Sequence, residues 1–386
     1  HRDLHSFPTR RSSDLTGTVR FGSTLTGTTL TAGDVTTGGG AVRYYRAVQL
    51  SGDVSVDTTN AGATAAGATI QYDTVITRDG TARALSLRAG SAGNVVLTGA
   101  VGTGPEPLGD LTIVSAVNFA GNTGATLDAG TITAASLTQS AGTGTTRLGA
   151  VTLTGALSLT TTAAVDLNGA IVAPGGFVSS GTTFDNTGGS ITTSAGVGGI
   201  SITHSGAVTV GAGLVSASGS VAVDSSGSGV SIAGPVSTTT GSVSVDSMSG
   251  TILSAAADMT TSSGSVSFGA TRAGTLATAG AVTTAGGVVR FYRAVQLTGA
   301  VAVDTTNAGA SAAGETIQFD AAITRDGTAR ALSLRAGTAG DVVLTGTVGT
   351  GPAPLGALTI VSAVNLAGDA GATVDAGTIT AASLTQ

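Results

Sequence analysis

The chain contains no Cys, no Trp and no Lys. Without Cys, a disulfide scaffold and a thiolate metal site are both excluded. Without Lys, all 16 basic residues are Arg, and the phosphate-cradling G-x-x-x-x-G-K-S/T loop is missing. Charge is scarce, at 10% of 386 residues against a usual ~25%. That excludes a disordered polyelectrolyte and the heptad surfaces of a coiled coil. Aromatics make up only 3%, too few for a broad core. No uninterrupted apolar run approaches the ~18 residues of a membrane helix, because Thr, Ser, Asn and Gly break each one. The formal net charge is −6, which disfavours a nucleic-acid surface.

Glycine is abundant instead: 61 residues, about 16% of the chain against a usual ~7%. It does not recur every third residue, so collagen is excluded. The remaining class is an all-β chain rich in Gly, Ala, Thr, Ser and Val. Residues 1–15 differ in composition from the rest. Ser6 to Leu15 back-translate into a sequence that looks like a common short-read sequencing adapter, so 1–15 are read as a non-native scar. Their exclusion leaves 13 Arg against 20 acidic residues, a balance of −7.

The chain beyond this scar is organised by repeats on two scales. Residues 41–139 align without gaps on 288–386, with 80 identities in 99 positions. The Arg43 to Leu50 segment returns as Arg290 to Leu297, and Thr77 to Gly90 returns unchanged as Thr324 to Gly337. A weaker match carries the long repeat upstream, to 17–139 and 264–386 with 140–263 between them. Several charges are not repeated: Asp53, Glu106 and Asp110 become Ala300, Ala353 and Ala357.

The short repeat carries the fold. Ile200, Val221, Val243 and Val266 are spaced 21, 22 and 23 residues apart. Ile132, Val151, Ile171 and Ile191 are spaced 19, 20 and 20 apart. Each begins a short apolar/polar alternation, the period-2 signature of a strand with one buried face. Gly, Asn and Ser clusters punctuate these strands as turns. A period near 20 reads as a solenoid. The expected fold is an all-β, right-handed parallel β-helix with turns of about 20–23 residues, continuous over 16–386. Val, Ile, Leu and Ala point inward, and Thr and Ser cover the outside in ladders. Tandem β-sandwiches are the alternative, since the long repeat approaches their ~100-residue size.

The segment 149–269, with ITTSAGVGGISITHSGAVTVGAGLVS at 191–216, resembles filamentous haemagglutinin-type exoproteins. Val95 to Gly99 and Pro107 to Ile113 show the same pattern. Autotransporter passengers and S-layer-like proteins have similar turns. The resemblance implies a right-handed β-helix and a bacterial surface adhesin located extracellularly. Its implied partners are glycans or a host or matrix surface. The alternatives are an inert structural stalk and a polysaccharide lyase or hydrolase on the same scaffold. Open strand edges also lead us to expect end-to-end self-association.

Chemistry-bearing residues are few. Outside 1–15 the one imidazole is His204, expected as a lone surface or turn residue beside Ser205-Gly206. A triad reading lacks its G-x-S-x-G elbow. Asp224 and Asp246 lie 22 residues apart, one turn in register. They read as strand-ending Asx turns, with a shared Ca²⁺ or a catalytic pair as the sharper alternatives. Asp57-Thr58-Thr59-Asn60-Ala61-Gly62 invites the same comparison. Arg83 and Arg88 flank Leu85 and Leu87, which calls for a bend between them or snorkelling stems. The most unusual feature is Arg43-Tyr44-Tyr45-Arg46. Alternation puts Tyr44 inward and Arg43 and Tyr45 outward, with a bend at Arg46. Arg43 and Tyr45, and their repeats Arg290 and Tyr292, are the candidate ligand contacts, by stacking and forked hydrogen bonds. The blander reading is an Arg covering an aromatic and paired with a nearby Asp. No metal, cofactor or catalytic residue is expected.

Overall fold

The computed structural model describes residues 16–23, 27–194 and 198–386. The adapter-like residues 1–15 lie outside the described residues. The described chain is an all-β parallel β-solenoid of about 16 turns, with ~23 residues per turn and no helix. The ladders between strands are parallel, as turns stacked in one direction require. Tandem sandwiches, which need antiparallel sheets, are therefore not what forms. Two compact units divide the chain, one ending at Leu148 and one beginning at Gly149.

In the first unit each early turn has three short strands. Val42–Tyr44, Val48–Leu50 and Val54–Asp57 make one turn, and Ile70–Tyr72, Ile76–Arg78 and Leu85–Arg88 the next. Val42 pairs with Ile70, Val48 with Ile76 and Val54 with Leu85. Alternation puts Val42, Tyr44, Val48, Leu50, Val54 and Val56 in the core. Residues 58–69 leave the turn as a loop before the next strand begins at Ile70.

The few aromatics are concentrated by the stacking. Phe21, Tyr44 and Tyr72 occupy one register column. Their rings stack at 4.5 and 4.4 Å with interplanar angles of 11° and 6°. In the second unit Phe268, Phe291 and Phe319 form the same column, at 5.2 and 4.3 Å. Tyr44 is buried and its hydroxyl finds no hydrogen-bond partner.

The second unit shows how the short repeat works. Ile200, Val221, Val243 and Val266 are direct register partners. On another face Ile171, Ile191, Leu214, Val236, Met259 and Val282 stack likewise. The expectation that Ser and Thr lie outside holds only in part. Thr193, Ser216, Thr238, Thr261 and Thr284 form an internal column, each buried. They sit where the chain turns a corner, and a hydroxyl there closes the turn. Thr261 Oγ1 donates to the Gly264 carbonyl at 3.1 Å and accepts from the Gly264 N–H at 2.6 Å. Ser216 and Thr284 bond the carbonyls of Gly219 and Gly287 in the same way. The glycines stack too, because a Cβ at Gly264 would run into the Gly241 carbonyl oxygen.

This packing can be tested at single positions. Gly264→Ala is expected to destabilise by about 2 kcal/mol, because the obstacle is backbone rather than a movable side chain. Gly351→Ala, where a Cβ meets nothing within 4 Å, should stay within about 0.5 kcal/mol. Denaturant unfolding of both variants checks the contrast. Tyr44→Phe removes a buried hydroxyl with no partner and should raise stability by about 1 kcal/mol. The second unit already carries Phe291 at the repeated position.

Candidate functional site

Arg43 lies at the centre of strand Val42–Tyr44, facing outward between two core positions. Its guanidinium sits 4.5 Å from the centroid of the Tyr45 ring. Its Nε donates to Asp73 Oδ2 at 2.9 Å. Asp73 Oδ1 accepts from Gln71 Nε2 at 2.7 Å. Gln71 is the register partner of Arg43 on the next turn, which is how residues 28 and 30 positions away come to meet it. The Asp73 hydrogen bond raises the Arg43 pKa further above its ordinary value. The bend expected at Arg46 is present: the strand ends at Tyr44, and Arg46 Nε donates to the Gly22 carbonyl at 3.1 Å.

The second unit repeats the arrangement. Arg290 lies 4.4 Å from the Tyr292 centroid and donates to Asp320 at 2.9 Å, and Gln318 donates to Asp320 at 2.6 Å. Each of the four candidate contacts is thus part of a four-residue cluster of Arg, Tyr, Gln and Asp. Reading the sequence alone missed Gln71, Asp73, Gln318 and Asp320. The signal available was the invariant I-Q-Y/F-D of the two long repeats, lying one turn beyond R-Y/F-Y. The geometry is that of the blander reading: an Arg over an aromatic, with its charge matched by an Asp. Arg43 nevertheless keeps 41% of its side chain exposed, and Arg290 39%.

The other candidates are placed differently from expectation. His204 is not on the surface. It ends strand Ile200–His204 on the inward parity and is 1% exposed, against the Phe184 ring at 5.4 Å. Its Nε2 hydrogen-bonds Ser179 Oγ at 3.0 Å, and its Nδ1 has no partner. The strand continues through His204 because the turn before kept the same register, Gly181 against His204. Burial lowers its pKa to about 4. Asp224 and Asp246 are register partners, as their spacing predicts, but they lie within strands and not in Asx turns. Arg272 grips Asp224 with both forks, at 3.0 and 2.8 Å. The Thr271 N–H donates to Asp246 at 3.2 Å. The Asx turn occurs instead at Asp57, which accepts from the Thr59 N–H at 2.6 Å and the Ala61 N–H at 3.0 Å. Arg88 points outward by plain alternation in Leu85–Arg88, so no bend separates it from Leu87. Among the described residues no group of three or more His, Asp or Glu could hold a metal ion.

The fold and these clusters define the chain as a parallel β-solenoid with charge-neutralised polar clusters on its surface. No protein-family model, curated protein or solved structure matches it.

Burial of His204 has a pH consequence. The folded chain holds a neutral imidazole with a pKa of about 4, while the unfolded chain protonates near 6.5. The unfolded state therefore binds more protons as pH falls from 6.5. Stability is lost over that window and levels off below about 4, a total of about 3 kcal/mol. Comparing the pH dependence of unfolding for the native chain and His204→Gln isolates this contribution. The variant should lack it, leaving only the carboxylate titration.

Proposed function

We propose that this chain is a repetitive segment of a secreted bacterial surface exoprotein of the filamentous haemagglutinin or autotransporter type, acting in adhesion. The solenoid is the scaffold, and each long repeat presents one Arg–Tyr–Gln–Asp cluster outward. The observation that carries the reading is the constancy of that cluster. Between the repeats its Arg–Tyr distance changes from 4.5 to 4.4 Å and its Arg–Asp distance stays at 2.9 Å. This holds although the neighbouring core residues Tyr44 and Tyr72 become Phe291 and Phe319. The contacts are weak individually, since the Arg charge is already matched. Affinity for a glycan or matrix surface comes from engaging several clusters at once.

The same charge matching favours a second reading, a stalk without a ligand of its own. Catalysis forms no part of the proposal: the stacked aspartates are held by Arg272 and backbone, and the imidazole is buried with Ser179.

Retention on immobilised polysaccharides and matrix glycoproteins tests the adhesive reading, with released reducing ends measured in parallel. Retention without new reducing ends is expected. Arg43→Gln should weaken it several-fold, and Arg43→Gln with Arg290→Gln about a hundredfold, through lost avidity. Absence of retention would favour the stalk, and released ends would overturn both readings.

A further inference from the structure

We infer that the unit ending at Leu148 carries a carboxylate-binding cleft for an acidic saccharide, centred on Arg88. The inference is independent of the Arg43 cluster. A cleft of about 300 Å³ opens beside the loop 58–69, of a size that holds a small ligand. Arg88 lines it from one side, and Ser115 and Thr143 from neighbouring turns.

Arg88 is an arginine with spare donors. Its nearest acid is Asp57, at 3.7 Å from Nε. That carboxylate is already engaged: Oδ1 accepts from the Thr59 N–H and hydroxyl, both at 2.6 Å, and Oδ2 from the Ala61 N–H at 3.0 Å. Among the described residues the Arg88 guanidinium makes no hydrogen bond, and 40% of its side chain is exposed. This contrasts with Arg43, Arg83 and Arg272, each bonded to an Asp at 2.8–3.0 Å. The other polar groups in the cleft add donors. Ser115 Oγ accepts from the Gly90 N–H at 3.2 Å, which leaves its own proton to give. The Thr143 hydroxyl is exposed and bonds nothing among the described residues. A planar fork with two flanking hydroxyls matches a ligand that only accepts, and a carboxylate fits the fork two-to-two.

The remaining lining selects a sugar over a peptide. Ala65, Ala141 and Gly142 give the cleft small apolar surfaces, against which the C–H face of a pyranose ring can lie. An extended acidic peptide would need unpaired backbone groups, and here they are used within the fold. The Ala89 N–H donates to Ser115 at 2.8 Å, Ser91 to Ala65 at 3.0 Å and Thr143 to Ala116 at 3.2 Å.

The test titrates the full chain with a dihexuronate, a neutral dihexose and a diglutamyl peptide, each measured by calorimetry. The dihexuronate should bind at least about tenfold more tightly than the neutral sugar, the worth of one charge-assisted hydrogen-bonded pair. Arg88→Gln should remove that advantage. Ala141→Phe, at an exposed position, should block the cleft without disturbing the core, and circular dichroism checks that both variants fold. Arg330→Gln, at an Asp-paired arginine outside both proposed sites, should leave the titration unchanged. Equal binding of the neutral sugar, tighter binding of the peptide, insensitivity to both variants, or no binding up to ~10 mM would each overturn the inference.

Discussion

The parallel pairing of each turn with the next is the constraint on which the rest of this structure depends. A backbone group on one turn meets its partner directly above or below, so residues one turn apart share a column. Each column must then contain residues that tolerate their own kind as neighbours. Valine and isoleucine stack well, as at Ile200, Val221, Val243 and Val266. Planar rings stack better still, as in Phe21–Tyr44–Tyr72 and Phe268–Phe291–Phe319, which lets a few aromatics matter in a chain that lacks Trp. Where the chain turns a corner and passes its neighbour closely, the column becomes glycine, with a Ser or Thr hydroxyl closing the turn. The high Gly content is thus a consequence of close stacking more than of flexibility.

The same columns organise the charges. An outward Arg meets the outward residues of adjacent turns, and an acid placed there neutralises it. Asp73 does this for Arg43, and Arg272 reaches back to Asp224. A low charge content is therefore spent largely in pairs, and a cation whose acid is already engaged by backbone stands out. Arg88 is held only loosely, at 3.7 Å from Asp57, because that carboxylate is committed to the turn that launches the loop 58–69; Arg335 stands in the same relation to Asp304, at 3.8 Å.

Much of the fold was legible along the chain. Period-2 alternation recurring near every 22 residues is direct evidence for stacked strands, and the register of Val221, Val243 and Val266 agrees with their spacing. The Tyr44–Tyr45–Arg46 segment was legible as well, since alternation with a bend places its side chains correctly. The misreadings share one cause. Ser205-Gly206 points to a turn at His204, yet the strand length there is set by the turn below. The inward Thr193 and Ser216 column was hidden for a related reason. A small polar residue looks the same in sequence whether it closes a corner inside or faces water outside.

The amino-acid sequence by itself determined the class: an all-β solenoid without cysteine chemistry, its period, its inward apolar residues and its two long repeats. Those features are local or periodic, and hydrophobic alternation is visible without knowing what lies above. Only the tertiary structure decided which residues from different turns meet. Gln71 and Asp73 join Arg43 across one turn, Arg272 reaches Asp224 across two, and Ser115 and Thr143 come to Arg88 from later turns. Each meeting depends on the cumulative register of intervening turns and loops, where one added residue moves a side chain to the opposite face.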